Sequence, residues 1–464
     1  MPQCGKQGTV KTAAVLTMGC KVNSYESEGM AELLEKDGYT IVDFDSKADV
    51  YLINTCTVTQ IAARKSRQMI HKARLTNPDA VIMAAGCYVD RGTRGLLDGV
   101  VDILIPNKDK GDLIGLLHQY TGEKQVDDEP VDLADKVIRE DKERKKGAVK
   151  QLTIRRAGQR TRAFMKVQDG CRQFCTYCII PFVRGPLTSR PVEDCVEQAR
   201  ILAGNGYKEV VLTGIDLTMY GEDLDVHPDL GDLILAVSKV DGIKRIRLGS
   251  LEPRVVTPAF IEKIRQTGKL CPHFHLALQS GCARTLKAMN RRYTPEEFEK
   301  AVRMLRDYDP DAAITTDIIV GFPGETDQDH QEALDFVRRI GFAECHVFRY
   351  SQMEGTAAAK RADQVDGNVK KVRSDQMLAA AAEGTEAFMK RMQGKVFDVI
   401  LEQKESGYWT GYTQNYVKIG VQMPDDSDHH GEEIRVRADG YLDISNANHE
   451  ASGLEKIMKG ERQL

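Results

Sequence analysis

Cys171, Cys175 and Cys178 form a CxxxCxxC motif in the middle of the chain. Three thiolates at this spacing can hold three irons of a cubane iron–sulfur cluster, whereas complete protein ligation takes four cysteines. The next cysteine along the chain, Cys195, lies inside a helical pattern and is no obvious fourth ligand. The fourth iron is therefore left open for a small molecule, which predicts a site of chemistry rather than a purely structural cluster.

Structural zinc is the alternative for this motif. A structural zinc site takes four ligands, usually supplied as two pairs. The segment offers one triplet, with no CxxC or histidine pair nearby to complete it. The ligand count therefore favours the iron–sulfur interpretation.

A second set of three cysteines shares one predicted structural setting. Cys20, Cys56 and Cys87 each lie just past an apolar run that we predict to be a parallel strand. The carboxyl ends of parallel strands meet at one edge of an open α/β sheet, where ligands bind. We therefore expect the three thiolates to converge on a second cluster, the alternative being three unrelated buried cysteines. The remaining cysteines are interpreted as packed or incidental thiols, at positions 4, 195, 271, 282 and 345.

The elements that would position these cysteines follow an α/β pattern. In residues 10–120, apolar runs at 13–17, 50–53, 81–85 and 101–105 alternate with helical patterns at 25–36 and 61–75, which predicts a small parallel sheet. From residue 161, six further strands are predicted, at 164–167, 209–213, 245–248, 274–278, 313–320 and 344–349. Six βα repeats fit a partial parallel barrel with an open wall, and the CxxxCxxC motif follows its first strand.

The predicted domains are 10–120, a charged linker at 121–160, the partial barrel at 161–390 and a small antiparallel β-barrel at 394–457. The 464 residues are 41% hydrophobic and 29% charged, which is typical of a globular protein. Eleven cysteines are too few for a disulfide scaffold of this length. The apolar run near the first residues is too short for a signal peptide or a membrane span. We therefore expect a cytoplasmic protein.

The segment VQDGCRQFCTYCIIPFVRGP (167–186) resembles the signature of radical S-adenosylmethionine enzymes and, more narrowly, of the methylthiotransferases. Cys20, Cys56 and Cys87, here called the Cys20 set, match the auxiliary-cluster domain of that family. The C-terminal β-barrel resembles its TRAM domain, a small RNA-binding module. The segments MGCKVNSYESE (18–28) and INTCTVT (53–59) are most similar to the branch that acts on threonylcarbamoyladenosine in tRNA. The branches that modify isopentenyladenosine or a ribosomal protein typically differ just after the first cysteine.

The resemblance implies a reaction and its partners. The CxxxCxxC motif would hold a [4Fe-4S] cluster that binds S-adenosylmethionine, and the resulting 5′-deoxyadenosyl radical would take hydrogen from C2 of the adenine. The Cys20 set would hold a second [4Fe-4S] cluster carrying the sulfur, and a second S-adenosylmethionine would supply the methyl group. An inert aromatic C–H bond calls for such cofactor chemistry. Implied partners are tRNA, a flavodoxin- or ferredoxin-like electron donor and a sulfur source, with no membrane.

Four further residues are candidates for cofactor binding. Tyr177 precedes the last cluster cysteine, where the superfamily has an aromatic residue near the adenine; it could equally pack the loop. Gly214 follows the second barrel strand and would let backbone approach the cofactor, unless it is a plain turn. Ser250 and Glu252 follow the third strand, at the strand ends where function is enriched. The loop 320–325 resembles a superfamily loop that flanks the adenosine.

The charge distribution conflicts with a simple RNA-binding role for the C-terminal barrel. From residue 394 the chain has eight Lys or Arg and thirteen Asp or Glu, whereas phosphate binding favours the reverse. The aromatic residues of this barrel either supply a surface on which RNA bases stack or fill the barrel core. These residues are Tyr408, Trp409, Tyr412 and Tyr416. Basic segments lie elsewhere, and we expect those at 136–162, 64–74 and 360–373 to bind the tRNA backbone.

Two other functions remain open at this point. The nearest is a methylthiotransferase that modifies an aspartate of a ribosomal protein. A different class is an iron–sulfur electron carrier or RNA-binding protein without radical chemistry. Reductive cleavage of S-adenosylmethionine separates the last class from the others.

Overall fold

A computed structural model describes residues 11–92, 97, 99–123, 152–155, 160–425, 427–442 and 457–463. Cys4 and most of the predicted charged linker lie outside these residues. Within the described part of the chain, no helix is long and apolar enough to cross a membrane.

The N-terminal region forms a five-stranded parallel sheet with strand order β2-β1-β3-β4-β5. Its strands are β1 (Thr12–Thr17), β2 (Thr40–Val42), β3 (Val50–Thr55), β4 (Val81–Gly86) and β5 (Ile103–Ile105). Its helices are α1 (Lys21–Lys36), α2 (Gln60–Thr76), α3 (Cys87–Asp90) and α4 (Leu113–Glu123). Leu52 packs with residues of α1 and α4, and Ile53 packs with residues of α2. The central strand is therefore buried on both faces, as its continuous apolar sequence requires.

The central region contains six parallel strands of a partial barrel, one of which is divided into two short strands. Its strands are β6 (Arg162–Lys166), β7 (Gln168–Asp169), β8 (Thr188–Ser189), β9 (Glu209–Thr213), β10 (Arg245–Leu248), β11 (Ser250–Leu251), β12 (His273–Leu276), β13 (Ala313–Val320) and β14 (Glu344–Arg349). β7 and β8 form a separate antiparallel pair. The others pair as β6-β9-β10 and β11-β12-β13-β14, with β10 and β11 consecutive in the third repeat. The prediction of a partial six-stranded barrel is confirmed.

Helices follow the barrel strands. They are α5 (Ile180–Val183), α6 (Val192–Gly204), α7 (Leu230–Ser238), α8 (Pro258–Arg265), α9 (Ala283–Ala288), α10 (Pro295–Tyr308), α11 (Asp327–Ile340) and α12 (Gly367–Met392). Thr326 caps α11 in a capping box with Asp329, so the helix begins at Asp327, four residues before the predicted start of the helical pattern at Gln331. Among the described residues no pairing joins β6 to β14, and α1 of the N-terminal region packs beside β6.

The C-terminal region is a closed five-stranded barrel, ordered β15-β16-β17-β19-β18. Its strands are β15 (Val396–Glu405), β16 (Tyr408–Tyr412), β17 (Lys418–Val421), β18 (Glu433–Tyr441) and β19 (Met458–Arg462). All neighbours are antiparallel except β17 and β19. The strand that closes the barrel, β19, begins one residue after position 457. The sequence pattern predicted that the domain ends at that position. Phe388, Met389 and Met392 of α12 belong to the same apolar core as this barrel.

Candidate iron–sulfur and cofactor site

Cys20, Cys56 and Cys87 follow three neighbouring strands, β1, β3 and β4, at the same edge of the N-terminal sheet. Gly19 has φ of +96°, and a Cβ there would lie 2.8 Å from Cys56 Sγ. Only glycine fits this approach without strain. Cys20 is exposed, whereas the other two are buried. The structure thus brings together the three cysteines that the sequence grouped.

The surroundings of these thiols suit a metal cluster. Burial raises the pKa of Cys56 to about 11 and also raises that of Cys87, and charge on the other cysteines of the set adds to both effects. The positive charge of Arg184 acts in the opposite direction on the pKa of Cys87. Three soft sulfur ligands beside a buried cation match the donors and the charge balance that an iron–sulfur cluster needs.

The CxxxCxxC loop is held by backbone hydrogen bonds. The Cys171 amide donates to Gly185 O (3.3 Å), and the Cys178 amide donates to Cys175 O (3.0 Å). Burial raises the pKa values of Cys171 and Cys178 to about 12. Arg291 Nη1 lies 3.3 Å from Cys175 Sγ and donates to it. The loop thus offers three thiols and one arginine in a compact arrangement.

Two buried acids lie next to this loop. Gln173 Nε2, inside the motif, donates to Glu252 Oε2 (3.1 Å) and approaches Asp216 Oδ2 (3.4 Å). Burial raises the pKa of Asp216 to about 6, and the charge of Glu252 contributes. Glu252 also binds Arg291 Nη2 at 3.0 Å. Gln173, Asp216 and Arg291 were not singled out from the sequence, although Gln173 lies inside the motif and Asp216 lies two residues after Gly214.

Two of the four predicted cofactor-binding residues are found at this loop: Tyr177 lies within it, and Glu252 accepts a hydrogen bond from Gln173 of the motif. Tyr177 packs with Phe322 of the predicted adenosine-flanking loop. A Cβ on Gly214 would come within 2.5 Å of Gln168 Oε1. The group that comes close to the Gly214 backbone is therefore this side chain. Ser250 is half-buried in β11. Glu252 is buried and fully occupied by Gln173, Arg254 and Arg291. Their roles toward a cofactor stay predictions.

The two cysteine sets meet at one contact between the domains. Cys87 shares an apolar cluster with Ile179, which directly follows Cys178, and with Val183 and Met353. Asn107 Nδ2 donates to Val183 O at 3.0 Å across the same boundary. The edge of the N-terminal sheet therefore packs on the peptide that carries the CxxxCxxC motif.

A buried ionic network crosses this boundary, and the sequence analysis missed it. Burial alone would raise the pKa of Glu26, but Arg184, Lys110 and Lys166 together hold it well below its usual range. Its oxygens lie 2.5 Å from Lys110 Nζ, 2.6 Å from Lys166 Nζ and 3.1 Å from Arg184 Nη1. Asp169 binds Arg184 at 3.0 Å. Glu26 and Arg184 lie in the segments that carry the family resemblance. The residue spacing within either segment does not indicate that these two side chains pair with each other.

The same residues line a cavity of about 120 Å³ between the domains. Arg190 also lines it and is buried, and its Nε has no hydrogen-bond partner within the described residues. Its Nη1 lies 3.4 Å from the Tyr25 hydroxyl. The cavity is therefore lined by five cationic side chains against two carboxylates.

The C-terminal barrel docks on the amino-terminal ends of the barrel strands. Tyr416 stacks on His273 (4.5 Å between ring centroids) and on Tyr412 (4.7 Å). Arg162 lies 4.7 Å above the Tyr412 ring, and Trp409 is buried in the barrel core. Trp409 thus fills the barrel core, whereas Tyr412 and Tyr416 are half-buried and pack at the contact with the central barrel. An RNA-stacking role for the half-buried rings stays a prediction.

Acidic residues of the C-terminal barrel also take part in docking. Glu402 binds Arg162 at 2.9 Å, and Glu433 binds Lys244 at 2.6 Å and Arg245 at 3.1 Å. This use explains part of the acidic composition that conflicted with RNA binding.

Several cations of the predicted tRNA-binding segments have partners within the protein. Lys72 pairs with Asp45, Arg74 with Asp102, Arg160 with Glu28, and Arg373 with Glu325. Arg373 is buried, so it does not offer a surface charge. Arg64 and Lys65 are exposed on α2. The proposed backbone-binding role of these segments stays a prediction.

Comparisons with known proteins agree with this architecture. Residues 165–337 match the Radical SAM superfamily, and residues 12–105 match Uncharacterized protein family UPF0004. The fold is similar to that of the radical S-adenosylmethionine methyltransferase TsrM from Kitasatospora setae, with a TM-score of 0.52 and 15% identity over 73% of this chain and 75% of that one. At this identity the likeness concerns the fold alone.

Curated relatives match over nearly the whole chain. The threonylcarbamoyladenosine tRNA methylthiotransferase MtaB of Bacillus subtilis is 38% identical, over 93% of this chain and 94% of its own. The enzyme of that name from Thermotoga maritima is 36% identical, over 88% and 91%. The tRNA-2-methylthio-N(6)-dimethylallyladenosine synthase of Thermoanaerobacter pseudethanolicus is 36% identical, over 83% and 81%. The chain therefore belongs to the radical S-adenosylmethionine family of tRNA methylthiotransferases, whose members use S-adenosylmethionine and a [4Fe-4S] cluster.

Proposed function

We propose that this tRNA methylthiotransferase acts on C2 of N6-threonylcarbamoyladenosine next to the anticodon. The observation that carries this substrate is the near full-length similarity to three enzymes of that name, at 35–38% identity over 87–93% of the chain. The segments around Cys20 and Cys56 resemble the same branch. Cys87 packing against Ile179 adds a structural reason, because sulfur insertion needs the two cysteine sets close together.

We assign Cys171, Cys175 and Cys178 to the cluster that binds S-adenosylmethionine, and the Cys20 set to a second [4Fe-4S] cluster. When bound, these groups supply the radical that removes hydrogen from the adenine and the sulfur that replaces it. The protein's own contribution is electrostatic and positional. Arg291 donates to Cys175 Sγ and is fixed by Glu252. Tyr177 and Phe322 form an apolar wall beside the loop.

The reaction requires further partners. Radical generation takes one electron per cleavage, which a flavodoxin- or ferredoxin-like protein supplies in this proposal. Each product carries one sulfur away, so a sulfur source must restore the second cluster. We place the reaction in the cytoplasm, as expected for a tRNA-modifying enzyme that needs reduced thiols.

The first experiment compares modified nucleosides by mass spectrometry in tRNA from cells with and without the gene. We expect the methylthio form to disappear and threonylcarbamoyladenosine to remain. If the methylthio derivative of dimethylallyladenosine disappears instead, the proposed substrate is wrong. An unchanged profile in a strain without a second methylthiotransferase also contradicts the proposal.

Single cysteine variants test the division of labour. Cys178→Ala should abolish reductive cleavage of S-adenosylmethionine, because the cluster loses one of three protein ligands. Cys87→Ala should keep that cleavage and lose sulfur insertion. Cys345→Ala serves as a control, since this half-buried cysteine belongs to neither set. Cleavage that persists in Cys178→Ala would refute the assignment.

A further inference from the structure

The CxxxCxxC loop exposes two aromatic side chains. Phe174 is 54% exposed and Phe182 is 61% exposed, more than any other aromatic residue in the described part of the chain. Phe174 directly precedes Cys175, and Phe182 lies in α5, four residues after Cys178. Large apolar side chains gain stability by burial, so a pair held in water beside a reactive centre points to a binding partner.

The two rings form a defined surface. Their centroids are 6.0 Å apart with an interplanar angle of 70°, an edge-to-face arrangement. Phe174 has φ of +50°, a left-handed conformation that is strained for a residue with a Cβ. Asn290 Nδ2 donates to Phe174 O at 3.1 Å and holds this conformation. Such strain is typical of functional loops, because the surrounding structure must impose it.

Exposed cations lie on the loop that carries Phe174 and on the segment that contacts this loop. Arg172 belongs to the same loop, and its guanidinium pairs with Glu222 at the surface. The Thr176 amide donates to Met289 O, which ties the loop to the segment that carries Lys287 and Arg292. Both of these side chains are exposed. Exposed aromatic faces with cations on neighbouring segments are a combination that binds unpaired nucleotides, by stacking on the base and by attraction of the phosphates.

We propose that Phe174 and Phe182 form a stacking platform for an unpaired base that neighbours the target adenosine in the anticodon loop. This inference rests on the proposed function, because the target base must reach the CxxxCxxC site beside the two rings. An adenosine can enter that site only after it leaves the stack of its neighbours. The platform replaces the stacking that a neighbouring base loses and so fixes the loop at the mouth of the site.

The test uses an anticodon stem–loop RNA with 2-aminopurine placed on either side of the target adenosine. Binding to the cluster-loaded protein should quench one of the two probes. Phe174→Leu and Phe182→Leu keep apolar volume but remove the ring face, and each should weaken RNA binding on the order of ten-fold and raise KM more than it lowers kcat. Phe174→Tyr should restore binding. Phe348→Leu, on β14, is the control, since that ring is 46% exposed but lies outside the loop.

The outcomes separate the platform from the proposed function. Iron content and the absorption spectrum of each variant show whether the cluster loop is intact. Wild-type affinity and unchanged quenching in both leucine variants would overturn the platform while methylthiolation persists. Normal RNA binding with slower reduction by an electron-transfer protein would show a protein-docking surface instead. Failure of the wild-type protein to modify threonylcarbamoyladenosine, with quenching intact, would count against the substrate and leave the platform standing.

Discussion

The central barrel has two interfaces that use similar residues for different ends. On the side of the N-terminal sheet, Arg184 contacts Glu26 of the other domain and opposes the rise in the pKa of Cys87 that burial causes. At the C-terminal barrel, Arg247 pairs with Glu209 of its own domain and donates to the carbonyls of Thr413 and Gln414. The first interface is joined by charged side chains close to Cys87. The second combines arginine contacts to backbone carbonyls and stacked rings with ion pairs of Glu402 and Glu433. A buried arginine therefore does not by itself indicate a site of chemistry. The groups that lie beside the arginine indicate whether the site is chemical or structural.

The largest effect is expected from Arg184→Met. The substitution leaves Glu26 and Asp169 short of a cation, which should lower the free energy of unfolding by about 3–5 kcal/mol. We also expect iron content to fall to about half, because the proposed second cluster would lose the positive charge beside it. Denaturant unfolding and iron analysis measure both. Arg172→Met, at an exposed position in the same segment, is the matched control. Full iron content in Arg184→Met would show that the two interfaces do not differ in their effect on the clusters.

Arg247→Met should weaken the other interface without touching the chemistry. The side chain is buried, and its loss leaves Glu209 and two carbonyls without their donor, at a cost of about 3 kcal/mol. Iron content and cleavage of S-adenosylmethionine should stay at wild-type levels. A loss of clusters in this variant, at a temperature where the protein is folded, would show that the two interfaces are coupled.

Tyr416→Leu sharpens the comparison by removing only ring stacking. The ring stacks on His273 and Tyr412 and lies 4.7 Å from the Arg247 guanidinium. We expect a loss of about 1 kcal/mol in unfolding free energy. Tyr416→Phe is the control, because it keeps the ring, and equal unfolding midpoints for the Leu and Phe variants would argue against stacking.

The smallest effect is expected from Lys244→Met. This side chain is 55% exposed in its pair with Glu433, so the pair should contribute less than about 1 kcal/mol and should respond to salt. Glu433 keeps its contact with Arg245 in this variant. Unfolding at low and high ionic strength measures the contribution of the pair. A salt-dependent loss larger than that of Arg247→Met would mean that charge, rather than carbonyl contacts, holds this interface.

Local sequence patterns predicted the cysteine sets and most strands because those signals lie within a few residues. The strands at Glu209–Thr213, Arg245–Leu248 and Ala313–Val320 have the predicted bounds. The helix that starts at Asp327 begins earlier than its apolar periodicity, since Thr326 and Asp329 set its start.

Long-range partners could not be read in the same way. Glu26 and Arg184 are far apart in sequence and meet only because the two domains dock. The aromatic residues of the C-terminal barrel also had an ambiguous pattern, since exposed stacking and buried packing use the same residue types. Tyr416 is distinguished only by the position of His273, which the sequence does not specify.

Helix α12 also determines what a truncated protein would show. Its last turns contribute Phe388, Met389 and Met392 to the core of the C-terminal barrel. A chain cut near residue 394 would present these three side chains to water as an apolar patch, which promotes aggregation. Loss of tRNA modification after such a deletion would therefore report insolubility as readily as lost RNA affinity. Surface substitutions on an intact C-terminal barrel are the sound route to its role in binding.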